Sequence, residues 1–378
     1  MRTRAASRSG PVGLVALLAA GVLAAGCGHS TVTHTSKAKH SAQHVHLPRA
    51  GSFVSLWPAC ACAKKTVLAQ FSLRTGRRLA TLATVAGAPA GTNLSFPFAL
   101  PGGSLALTYS SGPSCSAPAT AYCGGEPGSC TGKVEALNPY NGASHVLLRL
   151  PSSTSVLDAV PSPNGRVLAM RAAGCATSWF DYHIVVRDLR SGRQWSIGSD
   201  AVRCHELTLP AWSPDGSKLV FAYGPSTLPA GTKPSTSQTC ETPQANRLVV
   251  VSATRASRSR SWKLIPADQD CSYQAAAFDP EGIAAVEGCG SAPTFGHVYL
   301  LQLNDRDRVI ARLALEPGWE DGLMASERNG DVLVTEDQPA NAGYRPYDWV
   351  WEFNGHQLRA IARYATLDAA QVIAVPWS

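Results

Sequence analysis

The 378-residue sequence predicts an all-β chain: a six-bladed β-propeller closed by pairing of the N- and C-terminal strands in one blade, with seven blades as the alternative count. Three observations carry this expectation. One kind of hairpin recurs along the chain, its copies stand at the period of a four-stranded unit, and the two chain ends supply complementary halves of a further copy. The best-formed copy runs from Leu209 to Tyr223, Leu-Pro-Ala-Trp-Ser-Pro-Asp-Gly-Ser-Lys-Leu-Val-Phe-Ala-Tyr. A short apolar strand ends at Trp212, and the turn follows: Pro214 pre-sets φ, Asp215 bonds forward to the backbone, and Gly216 takes the positive φ that a side chain resists. The departing strand alternates, with Leu219 and Phe221 on one face and Lys218 and Val220 on the other.

Four more copies align on their glycine: Leu100 to Leu107, Ser162 to Met170, Asp279 to Val286 and Glu327 to Val334. The sixth is split. The chain stops at Val375-Pro376-Trp377-Ser378, where a Pro-Asp-Gly turn would come next, and Arg49-Ala50-Gly51-Ser52-Phe53-Val54 resumes just after such a turn, so the ends are expected to meet in one sheet. Gly51, Gly103, Gly165, Gly216, Gly282 and Gly330 stand roughly 50 to 65 residues apart, the period of a four-stranded blade with long loops. Each glycine is followed by a second hairpin tip, at Arg74-Thr75-Gly76, Asn138 to Gly142, Arg190-Ser191-Gly192, Ala253 to Ser257, Asn304 to Asp307 and Asn354-Gly355. Two hairpins per repeat make four strands.

The x-Trp-Ser-Pro-Asp-Gly-x-x-Leu-x-Phe hairpin followed by an Asp-Leu-x-x-Gly tip resembles the WD40-like repeats of TolB-type β-propellers, over nearly all of residues 49–378. Gly216 and Gly165 carry the best matches, while Leu-Pro-Gly-Gly at Gly103 and Glu-Arg-Asn-Gly at Gly330 depart from the motif. The resemblance implies the fold and says little of the role, because propellers host many unrelated activities.

Ahead of the repeats, residues 1–26 read as a lipoprotein signal peptide. Arg2, Arg4 and Arg8 form a basic start, and Val12 to Ala25 is an apolar run too short for a stable membrane span. Gly26-Cys27 then resembles a bacterial lipobox, although Ala24 stands where the usual leucine would and Leu23 lies one residue earlier. The resemblance implies that Cys27 becomes a lipidated N-terminus, with more than one acyl chain as durable anchoring requires. Cys27 and residues 28–48 make a polar tether with almost nothing to bury. Five of the ten histidines lie there, at His29, His34, His40, His44 and His46, with nothing to set a coordination geometry. The expected location is the cell membrane, lipid-anchored, on the extracytoplasmic face.

The formal net charge of +7 is not spread over the repeats. Three Arg in the leader and Lys37, Lys39 and Arg49 account for six of the 33 Lys and Arg, leaving 27 against all 26 Asp and Glu. A neutral propeller gives no compositional ground for a nucleic-acid partner, whereas a basic tether suits an anionic membrane surface. Arg255, Arg258 and Arg260 form the one tight basic cluster, read as a solvated edge.

Ten cysteines remain after Cys27, an even number that fits disulfides in an oxidising compartment. In a four-stranded blade the link from second to third strand and the link to the next blade emerge on one face. All ten cysteines fall in such links, so one face should be stapled. Two pairs repeat the same relation, Cys175 with Cys204 and Cys240 with Cys271, each tying a blade's long loop to the link entering the next blade. Each would contribute on the order of 3 kcal/mol. The other pairings stay open.

The same face carries long Gly-, Pro- and Ser-rich loops with Tyr122, Trp179, Phe180, Tyr182, Tyr344 and Tyr347, and with His183 and His205 nearby. Long loops on a rigid scaffold are where binding gathers, and these residues form the candidate binding face. The expectation is a monomeric, non-enzymatic scaffold for a protein, peptide or glycan ligand, using no cofactor and no catalytic residue. Neither Gly-x-Ser-x-Gly nor His-Glu-x-x-His occurs in the chain. The alternative is a propeller enzyme, hydrolytic or quinone-linked, in which acids such as Asp181, Glu206, Asp270, Glu287, Glu336 and Asp337 line the channel mouth and hold Ca2+.

Overall fold

The computed structural model describes residues 52–58, 65–72, 74–86, 92–94, 98–100, 103–111, 131–139, 141–151, 154–174, 183–198, 205–225, 245–256, 262–290, 296–315, 323–326, 332–338, 347–365 and 375–376. The chain divides into a unit of residues 1–44 and a unit of residues 45–378, and every strand among the described residues belongs to the second. Among the described residues no helix is long and apolar enough to cross a membrane.

The strands run β1 (Ser52–Pro58), β2 (Lys65–Ser72) and β3 (Arg78–Ala86) in sheet A; β4 (Thr92–Leu94), β5 (Phe98–Ala99), β6 (Leu105–Ser111), β7 (Thr131–Leu137) and β8 (Ser144–Arg149) in sheet B; and β9 (Thr154–Pro161), β10 (Val167–Gly174), β11 (His183–Asp188) and β12 (Gln194–Ile197) in sheet C. Sheet D holds β13 (His205–Leu207), β14 (Ala211–Trp212), β15 (Lys218–Pro225), β16 (Arg247–Ser252) and β17 (Lys263–Pro266). Sheet E holds β18 (Cys271–Asp279), β19 (Gly282–Cys289), β20 (His297–Asn304) and β21 (Val309–Leu315), and sheet F holds β22 (Leu323–Ser326), β23 (Val332–Gln338), β24 (Tyr347–Phe353) and β25 (Leu358–Ala365). The last strand, β26 (Val375–Pro376), pairs antiparallel with β1 through Val54–Val375 and Phe53–Pro376. The arrangement is that of a β-propeller, with, among the described residues, five sheets built from consecutive strands and one, sheet A, assembled from both chain ends.

Sheets C, D and E are each buried on both faces, which explains their long apolar runs. In β15, Leu219, Phe221 and Tyr223 pack against Val160, Ala169 and Ile184 of sheet C, while Val220 and Ala222 pack against Ala276, Ile283 and Ala285 of sheet E. The two-residue period of a strand thus sends alternate side chains to opposite neighbours. In β19, likewise, Ile283 and Ala285 face sheet D, and Ala284 and Val286 join Val332, Val334 and Phe353 of sheet F. The first strands of neighbouring sheets also meet, β18 against β14 and β22, and β26 against β22 and β5.

Polarity gives the unit two chemically different ends. At one, which we call the turn end, strands one and two, and strands three and four, are joined by the tight tips seen in the sequence; Gly103, Gly165, Gly216 and Gly282 in the first set all have positive φ, as do Gly76, Gly142, Gly192 and Gly355 in the second. Contacts between tips tie the sheets together there. Trp195 Nε1 donates to Ala253 O at 3.0 Å, Lys263 Nζ meets Asp307 Oδ2 at 2.5 Å, and His356 Nε2 lies 3.2 Å from Glu281 Oε1. Trp212 does the same within the C–D core, donating from Nε1 to Val160 O at 2.9 Å. Trp212→Phe keeps most of the apolar body and strands a buried carbonyl, so it should lower stability by about 1 to 2 kcal/mol in urea unfolding.

Candidate functional site

The opposite end collects the links from second to third strand and from sheet to sheet, and we call it the loop end. Of the anticipated binding face, the backbone brings three described residues to this end. His183 opens β11 opposite Ala172, His205 opens β13 opposite Pro225, and Tyr347 opens β24 opposite Gln338 and Ala365. His183 is half-buried. Tyr122, Trp179, Phe180, Tyr182 and Tyr344 lie outside the described residues, as do Cys27, Cys175, Cys204 and Cys240.

Cys271 and Cys289 do lie at the loop end, but their pairing corrects the sequence reading. Cys271 is bonded to Cys289, not to Cys240, with an S–S distance of 2.08 Å. The cause is strand register: β18 begins at Cys271, β19 ends at Cys289, and the ladder sets the two residues directly opposite, 4.0 Å apart at Cα. The bridge therefore clips one hairpin instead of joining a long loop to an interblade link.

Beside the bridge sits a compact polar cluster. Glu287, in the middle of an apolar strand, has a side chain only 1% exposed. Its carboxylate accepts from Arg312 Nη2 at 2.9 Å and from the Asp268 backbone N–H at 3.1 Å. Arg312 also donates from Nη1 to Asp268 Oδ2 at 2.7 Å and lies over the Tyr299 ring, 4.0 Å from its centroid. Burial holds the Glu287 carboxyl above the ordinary carboxylate range, and the Asp268 N–H and Arg312 pull against that shift without cancelling it. Burial likewise raises the phenol of Tyr273, whose hydroxyl donates to Pro266 O at 3.1 Å.

This geometry removes Glu287 from the acids expected at the channel mouth. Positions 283 and 285 of β19 face sheet D, so position 287 faces that interior too, and its oxygens are already engaged. Asp270 is exposed with φ 59° and sits in the link before β18. Cys271, Glu287 and Cys289 bring three ligand-type atoms within 4.8 Å of one another. The disulfide consumes both sulfurs, so this group offers a metal no thiolate pair.

A second buried ion pair has no signal in the sequence. Asp158 on β9, with its side chain 3% exposed, accepts from Arg171 Nε at 3.0 Å and Nη2 at 2.6 Å, and Arg171 Nη1 reaches Leu207 O on sheet D at 2.8 Å. The guanidinium thus clamps sheet C to sheet D near their first strands. Asp158 and Glu287 are held by arginine and serve packing, which leaves neither poised as a general base; the third buried acid among the described residues, Asp279, is engaged by Gln302 and by the N–H groups of its own turn.

No protein-family model matches the chain, and no curated protein matches it by sequence. Among solved structures, a luciferin-regenerating enzyme aligns at TM-score 0.46 and 8% identity, over 82% of this chain and 95% of that one. Oligogalacturonate lyase in complex with manganese aligns at TM-score 0.45 and 12% identity, over 84% and 79%. A prolyl endopeptidase aligns at TM-score 0.45 and 11% identity over 84% of this chain, which spans only 43% of that enzyme's length. Likeness at this level carries no argument about activity.

Proposed function

We propose that the protein is a membrane-anchored, extracytoplasmic propeller that binds a protein, peptide or glycan through its loop end. The observation that best supports this reading is the asymmetry of the two ends. The tips at the turn end are mostly a few residues long. The chain between β6 and β7 runs through residues 112–130, that between β15 and β16 through 226–246, and that between β23 and β24 through 339–346, all leaving and re-entering at the loop end. A scaffold that spends its chain length on one end concentrates variable surface there, and a disulfide at that end lowers the ordering cost of recognition. In this reading all six sheets are blades, β26 closing on β1 completes the ring, and lipidated Cys27 with residues 28–48 forms the leash.

Anchoring is tested by fractionation and by the mass of the N-terminal peptide. Cys27→Ser should move the protein from the membrane to the soluble fraction, and an unlipidated N-terminus in the wild type would overturn the anchor. Binding is tested by in-cell crosslinking of the wild type against a Trp179→Ala, Tyr182→Ala, Tyr344→Ala variant. A partner captured by the first and lost in the second supports the loop end, and identical crosslinks overturn it. Stoichiometric metal retained through purification, with a lower Tm after chelation, would replace the scaffold with the Ca2+-dependent enzyme.

A further inference from the structure

The propeller is neutral as a whole, yet its charge is not evenly placed. On the tips of sheets A, C and D, Arg74, Arg77, Arg190, Arg193 and Arg255 are all exposed. Across the turn-end tips of sheets A to D the only acids among the described residues are Asp188 and Asp215, and each is occupied within its own turn. Asp188 accepts from the N–H groups of Arg190 and Ser191, and Asp215 from Ser213 Oγ and from Ser217 N and Oγ. Among the described residues, exposed or half-buried acids stand on the sheet E tips, at Glu281, Asp305 and Asp307. One sector of the turn end, from sheet A to sheet D, is therefore basic.

An independent observation concerns the apolar surface. The large hydrophobic side chains exposed among the described residues are Leu79, Val146, Leu264, Val309 and Ile310. Each falls within the first three residues of an outermost strand, on β3, β8, β17 or β21, and those strands begin at the turn end. Aliphatic groups therefore rim the same end that carries the arginines. Scattered exposed aliphatics need no explanation, but five gathered at one end beside a basic sector do.

The third observation is where the chain enters. Ser52 opens β1 opposite Ser72, the last residue of β2 and the start of the Arg74–Arg77 tip, so the segment that precedes β1 joins at the turn end. That segment is itself basic, with Lys37, Lys39 and Arg49.

We propose that the turn end is a docking surface for an anionic lipid bilayer, with the basic tips of sheets A, C and D on headgroup phosphates and the aliphatic rim in the interface. This rests on the membrane-anchored reading for its setting, and it deepens that reading: the chain enters β1 at the end that carries the basic tips, so the loop end points away from the membrane toward its partner. Guanidinium groups pair bidentately with phosphate oxygens. Apolar side chains that reach the acyl boundary add area-dependent affinity. Each cation near an anionic leaflet adds to the partition, and the effect is screened by salt.

The test uses the mature chain, residues 27–378 with Cys27→Ser, so that no acyl chain contributes, in sedimentation with vesicles of phosphatidylcholine alone or mixed with phosphatidylglycerol. Binding to the mixed vesicles alone is expected, weakening as salt rises. Arg74→Gln, Arg190→Gln and Arg255→Gln together should lower the partition coefficient on the order of 100-fold, with unfolding unchanged because all three are exposed. Ile310→Ser, which removes apolar area without adding charge, should weaken binding without altering the salt dependence. Binding that survives the triple substitution belongs to the tether and overturns the proposal, as does equal binding to both vesicle types or capture by soluble polyanions alone. Lipidation of Cys27 is scored separately by mass, so failure of the anchor and failure of the docking surface are distinct results.

Discussion

Replacing Arg312 with alanine should destabilise the protein by about 3 kcal/mol at neutral pH, the cost of leaving a buried carboxylate without its partner. The site justifies that magnitude. Glu287 is 1% exposed, and Arg312 is the one side chain reaching it with positive charge among the described residues. The companion contact to Asp268 counts for little, because the Asp268 side chain is 64% exposed and such pairs are worth at most about 1 kcal/mol. The loss should also depend on pH in a set direction. Burial raises the Glu287 carboxyl above its ordinary value of 4.5, so the native state holds a proton at pH values where the unfolded chain has released it. Stability from this group is therefore greatest in acid and declines as pH rises through the raised value. Without Arg312 the carboxyl rises further, and the variant should approach the wild type as the solution is acidified. Urea unfolding at neutral and mildly acidic pH reads both effects. A loss of equal size at the two pH values would show that Arg312 acts through its packing on Tyr299. Glu287→Gln in the Arg312→Ala background should restore most of the lost stability, since the double variant carries no unpartnered charge.

Asp279 and Asp215 pull the pH dependence of the whole unit in opposite directions. Asp279 lies buried beneath its tip, accepting from the N–H groups of Glu281 and Gly282 and from Gln302 Nε2, and burial raises its carboxyl despite these donors. Its contribution, like that of Glu287, falls as pH rises. Asp215 is exposed, and the hydroxyl of Ser213 with the N–H and hydroxyl of Ser217 lowers its carboxyl to about 2. That contribution is present above the ordinary value of 3.8 and is lost as pH falls through about 2. The same turn motif thus carries an acid of either tendency, depending on whether the blade covers it.

The repeat architecture is legible in the sequence because its signal is local. Turn residues demand particular φ values, and Gly165, Gly216 and Gly282 declare the same tip wherever they stand. The β26–β1 pairing is legible for the same reason, since each chain end carries half of a recognisable hairpin. Strand alternation misleads where both faces are covered: Lys218 and Val220 share a face, yet Val220 is as buried as Leu219. Analogy between repeats misleads about the disulfide, although register holds the answer. Cys271 lies eight residues before Asp279 and Cys289 seven after Gly282, and the irregularity between Tyr273 and Ala275 absorbs the difference. Sequence position alone does not reveal such an irregularity. The Asp158–Arg171 clamp and the Glu287–Arg312 pair are illegible because their partners come from different strands, in the first case reaching a different sheet. Summation hides the basic sector of the turn end, since charge balanced over the chain says nothing of how it is placed among the tips.

Gly282→Ala is expected to be among the most damaging single-methyl changes in the protein, on the order of 3 kcal/mol or more, from a collision combined with backbone strain. Gly282 has φ 151°, and a Cβ built there would stand 2.1 Å from Leu303 O and 3.0 Å from the carbonyl carbon of Asn304. Those are backbone atoms of β20, the next strand of the same sheet, and Gly282 is in register with Asn304 itself. No rotamer relieves the contact. The first rungs of the β19–β20 ladder must part, and the tip that buries Asp279 against Gln302 must shift with them. Gly216→Ala provides the control, because it stands at the same point of the repeat with φ 71°, and its new methyl would make only ordinary contact with Pro163, 3.6 Å away. Left-handed strain alone should cost that position about 1 to 2 kcal/mol. Chemical denaturation of the two variants side by side separates the causes. Equal losses would mean that φ governs both tips and that β19 and β20 can part at little cost, whereas a clearly larger loss at Gly282 shows the two strands held rigidly together at the turn end.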